Sequence, residues 1–600
     1  MTDRIETTYT DTFGNPHQVP ESTLDRLRAL LGEDGPARPI VVRPDEPLPV
    51  SGGEVELETG ERLMAEDGSG PLPLGYHRLH TDAGERRLIV SPGWCHPPEG
   101  RRWGWSTQLY ATRSHHSWGM GDFADLSHLA RRSREMGAEV VLINPLLAVS
   151  PTVPQQPSPY YPASRRFLNP IYLRIEEVPG AETAAGVVGR AARAGRALNR
   201  ADLIERDEVW QLKLEALEEI WSRRPPGEDF ERWLQDQDAG LVDFAAWSVL
   251  AEEHGGDWRT WPSEFSHPDT ASVARLIDGH GERVRFHQWL QWLSRRQFET
   301  AAAGTTLVQD LPIGFDPGGA DAWAWQDLLA LDVSIGAPPD EFNTRGQKWG
   351  LPPFLPDRLA AAGYEPFIQT IRASMAEGGG LRIDHVLGLF RQFWIPDEAP
   401  PSAGAYVRFP ARELLDIVAL ESVRAGAIVI GEDLGTVPPG VREELARRRI
   451  LSYRLLWFED TPPADWPELS MAAITTHDLP TVAGLWTGAD LAEQKALDMH
   501  PNEESTLRMR DRIAALIGLD ESAEAESAVR SVHQRLSAAP SLLACATLED
   551  LAVSELRPNL PGADAVRPNW RLALPRSLEE LLTDPLAADI AGAFDHGDPR

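Results

Sequence analysis

The chain has 600 residues and a formal net charge of −33, from 58 lysines and arginines against 91 aspartates and glutamates. That balance excludes the basic footprint needed to displace counterions from nucleic acid, and it argues equally against an anionic membrane surface. Two cysteines, Cys95 and Cys545, exclude a disulfide framework and a cysteine-rich zinc centre.

The opening MTDRIETTYTD has no basic and apolar leader pattern, and no apolar run approaches a membrane span, so a soluble cytoplasmic protein is expected. STLDRLRALLG, closing on a glycine, predicts a short lead-in helix within the first 35 residues. Short β-like pieces follow at Pro39–Arg43, Glu54–Glu58, Tyr76–His80 and Arg86–Val90, with Gly, Pro and Asp turns between them. They predict a small antiparallel unit, and residues 1–95 are read as an N-terminal β domain with its helical lead-in.

From about residue 103 the pattern changes to short apolar runs that each close in polar residues. These are STQLY (106–110), EVVLIN (139–144), TTLVQD (305–310), GLRID (380–384), AIVIGED (427–433), SYRLLWFE (452–459), MAAITTHD (471–478) and LLACATLED (542–550). Runs without alternation suit strands buried on both faces, and helix-like stretches such as 122–137 and 441–449 lie between several of them. The pattern predicts an α/β protein with a (β/α)8 TIM barrel over residues 96–600. A doubly wound open sheet is the structural rival, weakened in its nucleotide-binding form because no G-x-G-x-x-G follows the first run. The gap between the second and third runs exceeds a crossover, and its helical periodicity predicts inserted helical subdomains over roughly 175–303. The tail, SLEELLTDPLAADIAGAF, reads as a closing helix.

In a barrel the catalytic groups sit at the C-terminal ends of the strands. Four of the runs end in acids: Asp310, Asp384, Glu432 with Asp433, and Asp478. A carboxylate there is costly unless it is paired or used, or else it caps the next helix. Arg382 and Asp384 stand two apart on a strand and share a face, a pairing that suits a nucleophile. No H-x-x-x-H or EF-hand spacing surrounds these acids and no G-x-S-x-G elbow occurs, so no metal, cofactor or serine nucleophile is expected. Two carboxylates about a glycosidic bond make a retaining glycosidase, with arginine, histidine and aromatics left to hold the sugar. The 20 tryptophans suit sugar faces as well as a core, while lysine occurs only at Lys213, Lys348 and Lys495.

Several longer motifs make the resemblance specific: SPYYPASRRFLNPIYL (158–173), DLPIGFDPGGADAW (310–323), GAPPDEFNTRGQKWGLPPF (336–354), GLRIDHVLGLFR (380–391), GEDLGTVP (431–438), THDLPT (476–481) and EDLAVSELRPNLPG (549–562). Over roughly residues 100–575 the chain resembles the amylomaltase, or 4-α-glucanotransferase, family of the α-amylase clan. The resemblance implies transfer of an α-1,4-glucan segment to the 4-hydroxyl of another glucan or of glucose, by a retaining double displacement without metal. It implies Asp384 as nucleophile, Glu432 as general acid/base and Asp478 as transition-state stabiliser. Arg382, His477, Asp310 and Asp433 would hold the sugar at the cleavage point. Ser158 and Tyr160 would line the donor side, Trp349 the acceptor side, and Asn559 would be a further substrate contact. Residues 336–353 correspond to a long loop over the site, with Thr344 where some relatives carry an acid. Maltooligosaccharides and starch- or glycogen-type glucans are the implied partners, with an α-amylase-like hydrolase and an inactive glucan-binding scaffold as the rival readings.

Overall fold

The apolar runs become strands whose side chains are buried on both faces. In the computed structural model, which describes residues 4–10, 14–32, 38–50, 52–64, 71–224, 226–339 and 345–595, eight of them close a barrel in chain order. They are β1 (Arg102–Thr107), β2 (Val140–Ile143), β3 (Thr306–Leu311), β4 (Gly380–Ile383), β5 (Ile428–Gly431), β6 (Leu451–Leu455), β7 (Ser470–Ala473) and β8 (Leu543–Thr547). Parallel registers join β1 to β2, β2 to β3, β4 to β5, β5 to β6, β7 to β8 and β8 back to β1. The first strand lies about four residues before its expected place. Its RWGWST sequence carries Gly104, which weakens a strand signal, yet a Cβ there would lie 1.9 Å from the Val140 carbonyl oxygen. Only glycine admits so close a neighbour.

Residue contacts divide the chain into two compact units. One comprises Met1–Glu99, Leu311–Pro317 and Trp325–Ser452; the other comprises Gly100–Asp310, Gly318–Ala324 and Tyr453–Arg600.

In the second unit the stretch between β2 and β3 is helical, as its periodicity predicts, with helices Ala185–Ala197, Arg206–Arg223, Glu228–Gln235, Ala239–His254, Ala271–Gly279 and Gly281–Ala302. Trp210, Leu217 and Ile220 of one helix and Phe286, Trp289 and Leu293 of another enter the same apolar core as Val141 and Ile143 of β2. Buried charge is placed deliberately here. The Lys213 ammonium donates to the carbonyls of Ile171 and Leu173 at 2.6 and 2.9 Å, and burial lowers its pKa to about 8. Arg174 donates to Asp122 at 2.6 and 2.9 Å and to Asp125 at 2.8 Å, beneath a helix that Asp122 itself caps. The tail forms two short helices, Leu578–Leu582 and Pro585–Asp595, because Pro585 cannot continue the first.

In the first unit the lead-in helix is Glu21–Leu31. The N-terminal sheet departs from the antiparallel expectation in one pair: Ile40–Val42 runs parallel to Gly84–Val90, while the remaining neighbours are antiparallel. A second sheet, with neighbours Gln347–Leu351, Val333–Ala337, Arg391–Pro396 and Ala405–Arg408, was not foreseen. It packs over a core that takes Ile5, Tyr9, Leu24 and Leu27 from the N-terminal segment. The loop expected over 336–353 contains a strand, Gln347–Leu351, which pairs antiparallel with Val333–Ala337. Thr344 lies outside the described residues.

Candidate active site

In the first unit, Gly380–Ile383 delivers Arg382 and Asp384 to the C-terminal end of β4. The Arg382 guanidinium, 4% exposed, donates from Nη1 to Asp384 Oδ1 at 3.0 Å, while the Asp384 carboxylate remains 23% exposed. The buried partner thus fixes the open one. The Asp384 N–H donates to the Leu311 carbonyl at 3.0 Å. The next residue, His385, turns left-handed at φ 46°. That turn points the His385 N–H at Glu432 Oε2, 2.9 Å away, while Leu434 N–H donates to Oε1 at 2.8 Å. Desolvation and the neighbouring Asp384 charge raise the Glu432 pKa to about 7, against the pull of Arg382 and the two N–H donors. One carboxyl is therefore available as an acid at neutral pH, beside a second that is ion-paired to arginine.

Asp433 is fully buried, and its carboxylate takes a 2.8 Å hydrogen bond from Arg442 Nε. Half-buried Trp349 places its ring 5.4 Å from that of His385, edge to face. Burial lowers the His385 pKa despite Asp384.

In the second unit, Asp310 at the end of β3 is buried and accepts the Tyr160 hydroxyl at 2.6 Å. The Tyr160 oxygen also lies 3.3 Å from His477 Nδ1, and the two rings stack with centroids 4.8 Å apart. Ser158 Oγ accepts the Tyr160 N–H at 3.3 Å, fixing the turn from which that ring projects. Asp478 follows His477 in the loop after β7. Its Oδ1 accepts Asn559 Nδ2 at 2.7 Å and its Oδ2 lies 3.4 Å from His477 Nε2, while the side chain stays 44% exposed. Arg557 donates to the Asp478 carbonyl at 2.7 Å and is itself paired with buried Asp490 at 2.9 Å. Among the described residues, no group of His, Cys, Asp or Glu is disposed to hold a metal ion, and no helix is long and apolar enough to cross a membrane.

A family model described as 4-alpha-glucanotransferase matches residues 107–578. The chain belongs to the 4-alpha-glucanotransferase family. It is 40% identical to the 4-alpha-glucanotransferase of Mycobacterium tuberculosis strain H37Rv, over 94% of this chain and 85% of that one. To the Haemophilus influenzae 4-alpha-glucanotransferase it is 35% identical, over 84% and 81%. Among solved structures, Corynebacterium glutamicum amylomaltase superposes with a TM-score of 0.86 at 31% identity, covering 98% of both chains.

Within this glucanotransferase chain, three residues that touch candidate site residues of their own unit escaped sequence reasoning. His385 has no role in the motif reading, yet its backbone carries the donor to Glu432. Arg557 sat inside a quoted motif without a role of its own. Trp570 lies beyond every motif weighed, yet its ring stands 5.3 Å from Tyr160 and 5.2 Å from His477. A tryptophan directly after Arg-Pro-Asn, in a stretch otherwise free of apolar periodicity, was the only available signal.

Proposed function

We propose that this 4-alpha-glucanotransferase works by retaining double displacement, with the roles divided between the two carboxyls of the β4–β5 corner. Asp384 attacks the anomeric carbon as the bond to the glycosidic oxygen breaks, and Glu432 gives its proton to that leaving oxygen. A glucosyl ester on Asp384 remains. The 4-hydroxyl of an acceptor glucan or of glucose then attacks, Glu432 takes the hydroxyl proton, and both carboxyls regain their starting states. The single observation that carries this reading is the asymmetry of the pair. Glu432 is raised to about 7, while Asp384 is held open to solvent by Arg382.

The supporting roles are those the family resemblance implies, and the contacts are compatible with them. Asp478, steadied by Asn559 and 44% exposed, would face the positive charge of an oxocarbenium-like transition state. Arg382, His477, Asp310 and Tyr160 carry donors and acceptors suited to sugar hydroxyls, with Ser158 shaping the Tyr160 turn on the donor side. Trp349 offers the acceptor a stacking face. Asp433, which the resemblance places at the sugar, is fully buried and accepts Arg442, a position suited to supporting the β5 end that presents Glu432. Substrates on this reading are maltooligosaccharides and starch- or glycogen-type α-glucans.

Incubation with maltotriose tests it. Glucose together with a ladder of longer maltooligosaccharides, at nearly constant reducing ends, is expected. Glucose and maltose alone, with reducing ends rising in step, would overturn transfer in favour of hydrolysis.

A further inference from the structure

Trp570 is 5% exposed, so it cannot reach a sugar, yet it touches what we place around one. Its ring is tilted against Tyr160 at 5.3 Å and against His477 at 5.2 Å, closing a three-ring cluster in which Tyr160 and His477 already stack. Its backbone holds a second part of the same unit. The Trp570 N–H donates to the Pro558 carbonyl at 3.1 Å, immediately before Asn559, the donor to Asp478. Asn569, its neighbour, reinforces that clamp: its side chain exchanges two 3.0 Å hydrogen bonds with the backbone of Leu560. To make both sets of contacts Trp570 adopts φ 63°, a left-handed conformation that bulky side chains rarely take. A residue held there against its own preference is over-determined by its surroundings, and such outliers concentrate at functional sites.

We infer that Trp570 is a positioning residue for catalysis: its indole fixes Tyr160 and His477 while its backbone fixes the segment that aims Asn559 at Asp478. The inference rests on the function proposed above, because it matters only if these groups meet the sugar. Small displacements there are expensive, since misplacement by about 1 Å lowers a rate on the order of 10²-fold.

Backbone and ring can be tested apart. Glycine enters the left-handed region freely, so Trp570→Gly retains the clamp and removes only the ring. The expected result is a folded enzyme whose kcat on maltotriose falls about 10²-fold with KM changed less than threefold. Trp570→Phe, which keeps a ring against Tyr160 and His477, should recover kcat to within about tenfold of wild type. If the glycine variant does not fold, Trp570→Leu supplies the ring-free comparison, with a kcat loss of tenfold or more expected. A folded ring-free variant within threefold of wild type overturns the inference, as does equal loss in the phenylalanine and ring-free variants. Asp384→Asn, assayed in parallel, separates the two layers. If it is inactive while the ring-free variant is fully active, only the role of Trp570 fails; if it is active, the proposed function itself fails.

Discussion

Glu432 accepts the backbone N–H of His385, the residue directly after Asp384, at 2.9 Å. The backbone next to the proposed nucleophile therefore orients the carboxylate of the proposed acid. That arrangement holds Glu432 near a second acid, whose charge together with burial outweighs the pull of Arg382 and keeps its pKa raised.

The first prediction concerns pH. A carboxyl raised to about 7 is protonated below that value and loses its proton above it. Since bond cleavage uses the protonated form, kcat/KM should fall as pH rises through about 7. Glu432→Gln should abolish that limb and lower transfer from ordinary oligosaccharides on the order of 10²–10⁴-fold. A glycosyl fluoride, whose leaving group needs no proton, should still load this variant, and peptide mapping should find the adduct on Asp384. An adduct on another residue would falsify the assignment.

Asp384→Asn keeps the shape of the side chain and removes the attacking charge. Turnover should drop by about 10³-fold or more, as for other nucleophile deletions, with an unchanged circular dichroism spectrum. Retention of a tenth of wild-type activity, with contamination excluded, sinks the assignment.

Asn559 and Asp478 allow a finer test. Asn559→Ala removes one donor to a carboxylate and should cost about tenfold in kcat. Asn559→Asp replaces that donor, 2.7 Å away, with a like charge, which raises the pKa of the pair. Because the stabiliser must be ionised, the acid limb of the rate profile should move to higher pH in both variants, and further in the aspartate one, which adds a like charge to the lost donor.

Trp349→Ala removes the stacking face from the Gln347–Leu351 strand. Aromatic contacts of this kind contribute roughly 0.5–1.5 kcal/mol, so the apparent KM for glucose as acceptor should rise up to about tenfold. The share of maltotriose lost to hydrolysis should rise with it. An unchanged acceptor KM removes Trp349 from the acceptor side.

Away from the site, Arg174→Met leaves Asp122 and Asp125 buried without their cation. Losing one partner of such a network costs about 3–5 kcal/mol, so the melting temperature should fall clearly while maltotriose chemistry in the surviving folded enzyme is unaltered. A melting temperature within a degree of wild type contradicts this.

The chain made its barrel legible because strands buried on both faces must be written in unbroken apolar residues, as in AIVIG and VVLI. The acids that end them stood out as well, for a carboxylate closing such a run is costly unless it is paired, used or capping. The sheet built from Val333–Ala337, Gln347–Leu351, Arg391–Pro396 and Ala405–Arg408 was hidden because its partners are far apart in sequence and its register is set by tertiary pairing. Gly104 misled in the opposite direction, reading as a break where a neighbouring carbonyl requires bare backbone. Trp570 offered only the weak signal of a tryptophan after Arg-Pro-Asn, and its left-handed backbone was hidden because its contacts come from residues 160, 477 and 558.

The near-absence of lysine has a practical side. Of Lys213, Lys348 and Lys495, the first is buried with its ammonium on two carbonyls, which leaves two side-chain amines at the surface of the folded enzyme, Lys348 bonded to the Asp397 carbonyl at 2.6 Å and Lys495 paired with Glu503 at 2.6 Å. One adjoins Trp349, and the other lies on the helix Ala489–Ala496, whose Asp490 pairs with Arg557. An amine-reactive dye or surface therefore addresses this protein at side-chain positions that are few and known. A fluorophore on Lys348 would report from the strand that carries the proposed acceptor platform, and tethering through Lys495 would leave that strand untouched.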